Sequence, residues 1–310
     1  MSAMSTPVPG ADPDDPEFTY DEFGYFAENC REYDLPWDGT AQVERVEVTL
    51  ADGRRLSGLR WGSGPPEVVF LHGGAQNAHT WDTVILALRP RPALAIDLPG
   101  HGRSSWREDR RYDPVANAED VAVMVEALAP SARLVVGMSL GGLTATALAA
   151  SRPDLVRRLV VVDITPGVTR DKARDIHAFV EGPQSFDSFT AIFERTVEFN
   201  PTRTPESLRR GILHNAHRRP DGSWSWNYDR RPLTGGDGPT PEVLWDAIGR
   251  IDVPLLLVRG ADSPVVDDDD VAELRRRKPD ARVVVIDGAG HSVQGDRPRE
   301  LAELLAAELA

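Results

Sequence analysis

Leu134-Val135-Val136-Gly137-Met138-Ser139-Leu140-Gly141-Gly142-Leu143-Thr144-Ala145 is the stretch that decides how this 310-residue chain folds. An apolar run leads into Gly137-Met138-Ser139-Leu140-Gly141, and an alanine-rich run leaves it. The first reads as a buried strand and the second as a helix, with Gly-x-Ser-x-Gly as the sharp turn between them. Two glycines let a neighbouring helix and strand approach a backbone that bends too tightly for side chains on either side of the serine. The turn directs the Ser139 hydroxyl away from the sheet. Gly-x-Ser-x-Gly is a weak signal alone. Together with a histidine near the C-terminus and His72-Gly73-Gly74 upstream, it makes a case for nucleophilic hydrolysis.

Outward from this turn the same rhythm repeats. Strands are expected at Val68–Leu71, Ala93–Ile96, Leu134–Val136, Leu159–Val162, Leu255–Val258 and Val283–Ile286. They are short, unalternated and rich in Val, Leu and Ile, as parallel strands covered on both faces are. Helices are expected near residues 81–89, 114–128, 141–151, 268–277 and 298–309. Val43–Leu50 and Leu56–Trp61 flank Ala51-Asp52-Gly53-Arg54 and read as a hairpin. The fold class is therefore α/β, a mostly parallel central sheet with helices on both faces.

The rhythm fails between residues 167 and 247. Helix-like segments near 170–180, 185–198 and 205–216 precede the aromatic run Trp224-Ser225-Trp226-Asn227-Tyr228. An insertion of about 80 residues is too long for a simple crossover. It reads as a helical cap inserted after the sixth strand, over the C-terminal edge of the sheet. The expected organisation is an N-terminal acidic tail and packed arm (1–39), a core in two parts (40–166 and 248–310), and the cap (167–247). Residues 1 to about 18, rich in Pro, Asp and Ser, are expected to be mobile.

A formal charge of −14, from 35 basic and 49 acidic residues, opposes binding to nucleic acid or an anionic membrane. The run Asp267-Asp268-Asp269-Asp270 reads as a solvated loop or the cap of the next helix. Cys30 is the single cysteine, which rules out an intramolecular disulfide and argues against a cysteine-based metal site. With no basic, apolar leader pattern and no apolar stretch of spanning length, the expectation is a soluble cytoplasmic protein. No metal or cofactor is expected. No Gly-x-Gly-x-x-Gly follows a strand as nicotinamide or flavin binding requires. His214 and His217 fall three apart on an expected cap helix, but lack a close third ligand.

Four motifs in order resemble those of the α/β-hydrolase superfamily, in its cap-bearing serine hydrolase branch. They are His72-Gly73-Gly74 after a strand, Asp97-Leu98-Pro99-Gly100-His101-Gly102-Arg103-Ser104 after the next, Gly137 to Gly141, and Gly288-Ala289-Gly290-His291 after the last strand. The resemblance runs from about residue 40 to 309. It implies Ser139 as nucleophile, His291 as general base, and the backbone N–H groups of Gly74 and Leu140 as an oxyanion hole. Serine at 139 argues against the epoxide hydrolases and haloalkane dehalogenases of this superfamily, which attack through a carboxylate.

Most of the family carries the triad acid three residues beyond a glycine that follows the strand after the cap. Counting from Gly260, that place falls on Ser263, which cannot carry the charge, and Asp262 lies one residue early. Asp163, at the end of Leu159–Val162, matches members that place the acid after the earlier strand, and it is the favoured of the two. Gln76, Met138, Trp224 and Trp226 are candidate substrate contacts. Trp224 and Trp226, if extended, share a face and could wall an apolar pocket or glue the cap to the core. Met138 could shape the pocket or fill core space.

The implied activity is hydrolysis of a small or medium carboxylic ester, with an apolar or aryl ester or related carbonyl compound as partner. Alternatives are a carbon–carbon hydrolase acting on a diketone-type compound, a lactonase or perhydrolase on the same triad, and a non-enzymatic small-molecule receptor. A homodimer through the cap is compatible with the sequence.

Overall fold

The chain alternates apolar segments with helices, and these segments form one twisted sheet. The computed structural model describes residues 10–200, 203–230 and 240–310. In chain order the first elements are α1 (Phe26–Glu32), β1 (Val43–Thr49), β2 (Arg55–Trp61), β3 (Val68–Leu71), α2 (Asp82–Leu88), β4 (Ala93–Ile96), α3 (Pro114–Leu128), β5 (Leu134–Met138), α4 (Leu140–Ser151) and β6 (Leu159–Val162). The cap follows, with α5 (Arg174–Val180), β7 (Ser185–Phe186), α6 (Phe189–Phe199), α7 (Pro205–Asn215), β8 (Ala216–Arg218) and β9 (Trp224–Trp226). The chain then returns through α8 (Pro241–Gly249), β10 (Leu255–Gly260), α9 (Asp268–Arg277), β11 (Arg282–Ile286), α10 (Val293–Asp296) and α11 (Pro298–Glu308).

The main sheet has eight strands in the order β1-β2-β4-β3-β5-β6-β10-β11, and β2 alone runs against the others. Alternation along the strands explains why they read as unbroken apolar runs. Val69, Leu71, Val135, Leu159, Val161, Leu255 and Leu257 enter one core. Val68, Phe70, Val136, Val160, Val162, Leu256 and Val258 enter the core on the other face. Every position of the central strands β3, β4, β5 and β6 is buried, while the edge strands β1 and β11 keep exposed residues.

Local chemistry sets the helix starts. The Asp113 side chain accepts from the N–H groups of Val115 and Ala116 ahead of Pro114, which opens α3. The aspartate cluster serves α9. Asp267 and Asp270 form a reciprocal capping box, and three arginines close the last turn, matching the helix dipole at both ends.

The chain crosses from β3 to β4 on one side and returns to β5 on the other, so the sheet's switch point lies at the C-terminal ends of β3 and β5, where open α/β sheets bind ligands. The cap lies between β6 and β10 in sequence. It carries a feature not expected from the sequence, a three-stranded antiparallel sheet in the order β7-β9-β8 beside its helices. The tail also departs from expectation. Residues 1–9 lie outside the described residues, but Asp14 is fastened to the cap, accepting from Trp224 Nε1 at 2.7 Å and from the Phe189 N–H at 2.9 Å.

Candidate active site

The end of β5 and the start of α4 leave no room for side chains at the elbow. A Cβ on Gly137 would lie 2.2 Å from the Gly141 carbonyl oxygen, and one on Gly141 would lie 2.3 Å from that of Leu71. Ser139 takes φ 51° and ψ −120°, a conformation that costs an L-residue about 1–3 kcal/mol. Its N–H donates to the Val162 carbonyl at 3.1 Å, and its own carbonyl accepts from Gly142 and Leu143. These bonds hold the strained turn and leave the side chain at the N-terminal, positive end of α4. Ala75 and Asp163 also have positive φ, 59° and 50°. Three of the chain's unusual backbone conformations thus gather at one edge of the sheet.

The segment after β3 presents three successive N–H groups, and two are taken. Gly73 donates to Gln76 Oε1 at 3.0 Å, and Ala75 donates to His101 Nε2 at 3.1 Å. Among the described residues the Gly74 N–H donates to no protein acceptor, nor does that of Leu140, the first residue of α4. A Cβ placed on Gly74 would meet nothing within 4 Å, so the space beside it is open. Two free donors flank the serine there.

Histidines brace this loop. His72 Nδ1 donates to the Gly73 carbonyl at 2.7 Å while its Nε2 accepts from Leu98 at 2.9 Å. Burial, helped by the neighbouring His101, holds its pKa down at about 3. A neutral imidazole is required for that acceptor role.

His291 follows β11, and its Nδ1 lies 2.9 Å from Asp163 Oδ2. Asp163 is fully buried at the end of β6, and its other oxygen accepts from the Gly260 N–H at 2.9 Å. Ser263 Oγ donates to Asp163 Oδ2 and accepts from the Val265 N–H at 3.2 Å. Ser263, three residues beyond Gly260, therefore donates to the buried carboxylate at the end of the adjacent strand β6. Asp262 is exposed; its N–H donates to Ala289, and its carboxylate makes no bond to His291 among the described residues. Of the two candidate acids, only Asp163 is hydrogen-bonded to His291 among the described residues. No hydrogen bond joins Ser139 Oγ to His291 among the described residues, a link that commonly tightens only with substrate in place.

A cavity of about 200 Å³ lies beneath the cap, lined by Gln76, His79, Asp82, His214, Trp226 and Gln294 among others. Ser139 and His291 do not line it. It adjoins them through Gln76, which holds the Gly73 N–H, and through Ser292, next to His291. Two expected substrate contacts need correction. Met138 points into the core with Val136 and Leu134, as alternation along β5 dictates, and its sulfur packs beneath Gly73. Trp224 is extended on the same strand as Trp226, but its indole is bonded to Asp14 and packed on Phe189, so it joins cap to tail. Sequence reasoning passed over Asp14 because the partner lies 210 residues away.

Fold, elbow and motif order define the class of protein: the chain is an enzyme and belongs to the Alpha/beta hydrolase family, whose sequence profile matches residues 68–304. It is 47% identical over 292 residues to esterase Rv0045c of Mycobacterium tuberculosis, spanning 92% of this chain and 94% of that protein. A structure of that esterase, refined in work on its inhibition by transition metals, superposes with a TM-score of 0.84 at 45% identity, covering 93% of this chain and 98% of that one. The chain is also 30% identical over 262 residues to the 2-(acetamidomethylene)succinate hydrolase of Mesorhizobium japonicum, spanning 82% of this chain and 90% of that protein. Among the described residues no helix is long and apolar enough to cross a membrane.

Proposed function

We propose that this enzyme is a serine esterase in which Ser139 attacks the ester carbonyl, His291 is the base, and Asp163 orients it. The observation that carries the reading is the bond from His291 Nδ1 to buried Asp163, at the same sheet edge as the strained Ser139. With Nδ1–H donating to the carboxylate, Nε2 is left with its lone pair to take the seryl proton. Attack forms a tetrahedral adduct, whose oxyanion accepts from the Gly74 and Leu140 N–H groups. Collapse expels the alcohol, which takes the proton from His291. Water, deprotonated in turn by His291, then releases the acid and regenerates Ser139. Each oxyanion donor contributes about 3 kcal/mol to such a step.

The substrate is a small or medium ester whose variable part enters the space under the cap, with Gln76 and Trp226 in contact. An acidic, diketone-type substrate is less well served. The cavity's arginines are already engaged, Arg210 with Glu32 and Arg203 with Asp296. The proposal keeps the unit boundaries 40–166, 167–247 and 248–310. It extends to a cytoplasmic enzyme, on the strength of its single, buried cysteine, and to a homodimer, for which sedimentation is the test. Hydrolysis of p-nitrophenyl acetate, butyrate and octanoate tests the central reading. Wild type turns over at least one of them, and Ser139→Ala lowers kcat by about 10⁴-fold or more with an unchanged fold. Equal turnover by the two proteins would refute the assignment.

A further inference from the structure

A second cluster of ionisable side chains lies where the cap meets the core. His79 comes from the short turn Ala78–Trp81, Asp82 opens α2, and His214 sits in the last turn of α7. The two imidazole rings stack with centroids 3.9 Å apart and planes inclined by 10°. Asp82 Oδ2 is 2.8 Å from His79 Nδ1 and 4.0 Å from His214 Nε2. One ring nitrogen of each histidine and one oxygen of Asp82 thus fall within 4.8 Å of one another. The outer nitrogens are both occupied, His79 Nε2 by Glu22 Oε1 at 3.2 Å and His214 Nδ1 by the Tyr20 hydroxyl at 2.6 Å. Asp82 is only 1% exposed, and its Oδ1 has no partner. All three inner residues line the cavity beneath the cap.

We propose that His79, Asp82 and His214 form a binding site for a divalent transition-metal ion that ties the cap to the core. Two imidazoles and a carboxylate suit Zn²⁺, Co²⁺, Ni²⁺ or Cu²⁺ better than Mg²⁺ or Ca²⁺, which prefer oxygen ligands throughout. Glu22 and Tyr20 engage the outer nitrogens, which leaves the inner nitrogens facing Asp82. The unpartnered Asp82 Oδ1 and the adjoining cavity leave room for further coordination. Ligand atoms about 2 Å from a shared ion lie roughly 3–3.5 Å apart, so His214 Nε2 must close on Asp82 by rotation of its ring out of the stack.

Burial pushes the His79 pKa down, but the charge and hydrogen bond of Asp82 and the bond to Glu22 prevail and hold it up at about 9. Burial, then the charges of His79, Arg210 and Arg45, hold His214 neutral. Glu22, Tyr20 and Tyr25 of the N-terminal arm also face the pair. A proton on His79 therefore already occupies the place of the cation between Asp82 and Glu22. The cap end of the site is coupled to the loop carrying Gly74, because Asn77 Nδ2 donates to the His214 carbonyl at 2.9 Å and Asn215 Nδ2 donates to the Ala75 carbonyl at 2.7 Å. Metal binding therefore stiffens the contact between that loop and α7.

The test is titration of the full chain with Co²⁺, read by its visible absorption and by the shift in Tm, in wild type, His214→Gln, Tyr20→Phe and His291→Ala. We expect one Co²⁺ bound per chain with a rise in Tm in wild type and in His291→Ala. His214→Gln should lose both signals, and Tyr20→Phe should bind about tenfold more weakly. The second variant keeps the test decisive if the first fails to fold. Absence of stoichiometric binding in wild type, loss of binding in His291→Ala, or unchanged affinity in His214→Gln or Tyr20→Phe would each overturn the site.

Discussion

The C-terminal edge of the sheet and the cap above it are held by different kinds of force. At the sheet edge the backbone does the holding. Ser139, Asp163 and Ala75 sit at positive φ, and glycine–backbone contacts fix the elbow. The cap is held by side chains from the first part of the chain. Asp14 accepts from Trp224, Glu32 accepts from Thr204 at 2.7 Å and pairs with Arg210, and the Ala11 carbonyl accepts from Arg209 at 2.8 Å. Backbone constraint demands particular residues at fixed spacing. Side-chain clasps can be exchanged for others, and they join segments whose separation in sequence says nothing about their contact.

This contrast can be broken at either side, and the two should fail differently. The largest effect is expected at the elbow. Gly137→Ala has no relaxed solution, because its new Cβ meets backbone rather than a movable side chain. A loss of about 3 kcal/mol or more, seen as a fall in Tm of roughly 5 °C together with lost turnover, is the expected outcome. Ser263→Ala sharpens the same edge with a smaller change. It removes one of the bonds holding Asp163, and it should lower kcat about tenfold with KM little altered, while Ser263→Thr restores most of the rate. An equal fall in Tm and kcat from both variants would make Ser263 a packing residue only. The smallest effect on chemistry is expected from Asp14→Ala. It leaves Trp224 Nε1 and the Phe189 N–H without acceptors, which should cost about 1–3 kcal/mol of stability by denaturant titration while saturating turnover stays near wild type.

What the sequence revealed follows the same division. The strands, their order of appearance and the elbow turn were legible because each is a local pattern with a backbone reason. The cap was legible as an interruption, but its three-stranded sheet was not. Its strands have only two or three residues each, too few to show a period. Trp224 and Trp226 lie on one short strand, yet of the two only Trp226 lines the cavity, since an indole N–H with a distant aspartate leaves no trace in spacing. Met138 followed the alternation of β5 into the core, a consequence that its position beside the serine obscured. The pairing of His214 with His79 and Asp82 was equally hidden, as these groups come from a core turn and a cap helix more than 130 residues apart. His217, the local candidate, instead bonds Asn227 at 2.6 Å.

In the proposed enzyme Asp163 is the acid at the end of β6, with Ser263 supporting it from beyond β10. The most direct measurement is kcat on p-nitrophenyl butyrate for Asp163→Asn and Asp262→Asn beside wild type, with folding checked by circular dichroism. Asp163→Asn should fall by about 10⁴-fold, because the amide can no longer hold His291 in the tautomer that accepts the seryl proton. Asp262→Asn should match wild type. A large fall in Asp262→Asn with Asp163→Asn still active would contradict the account.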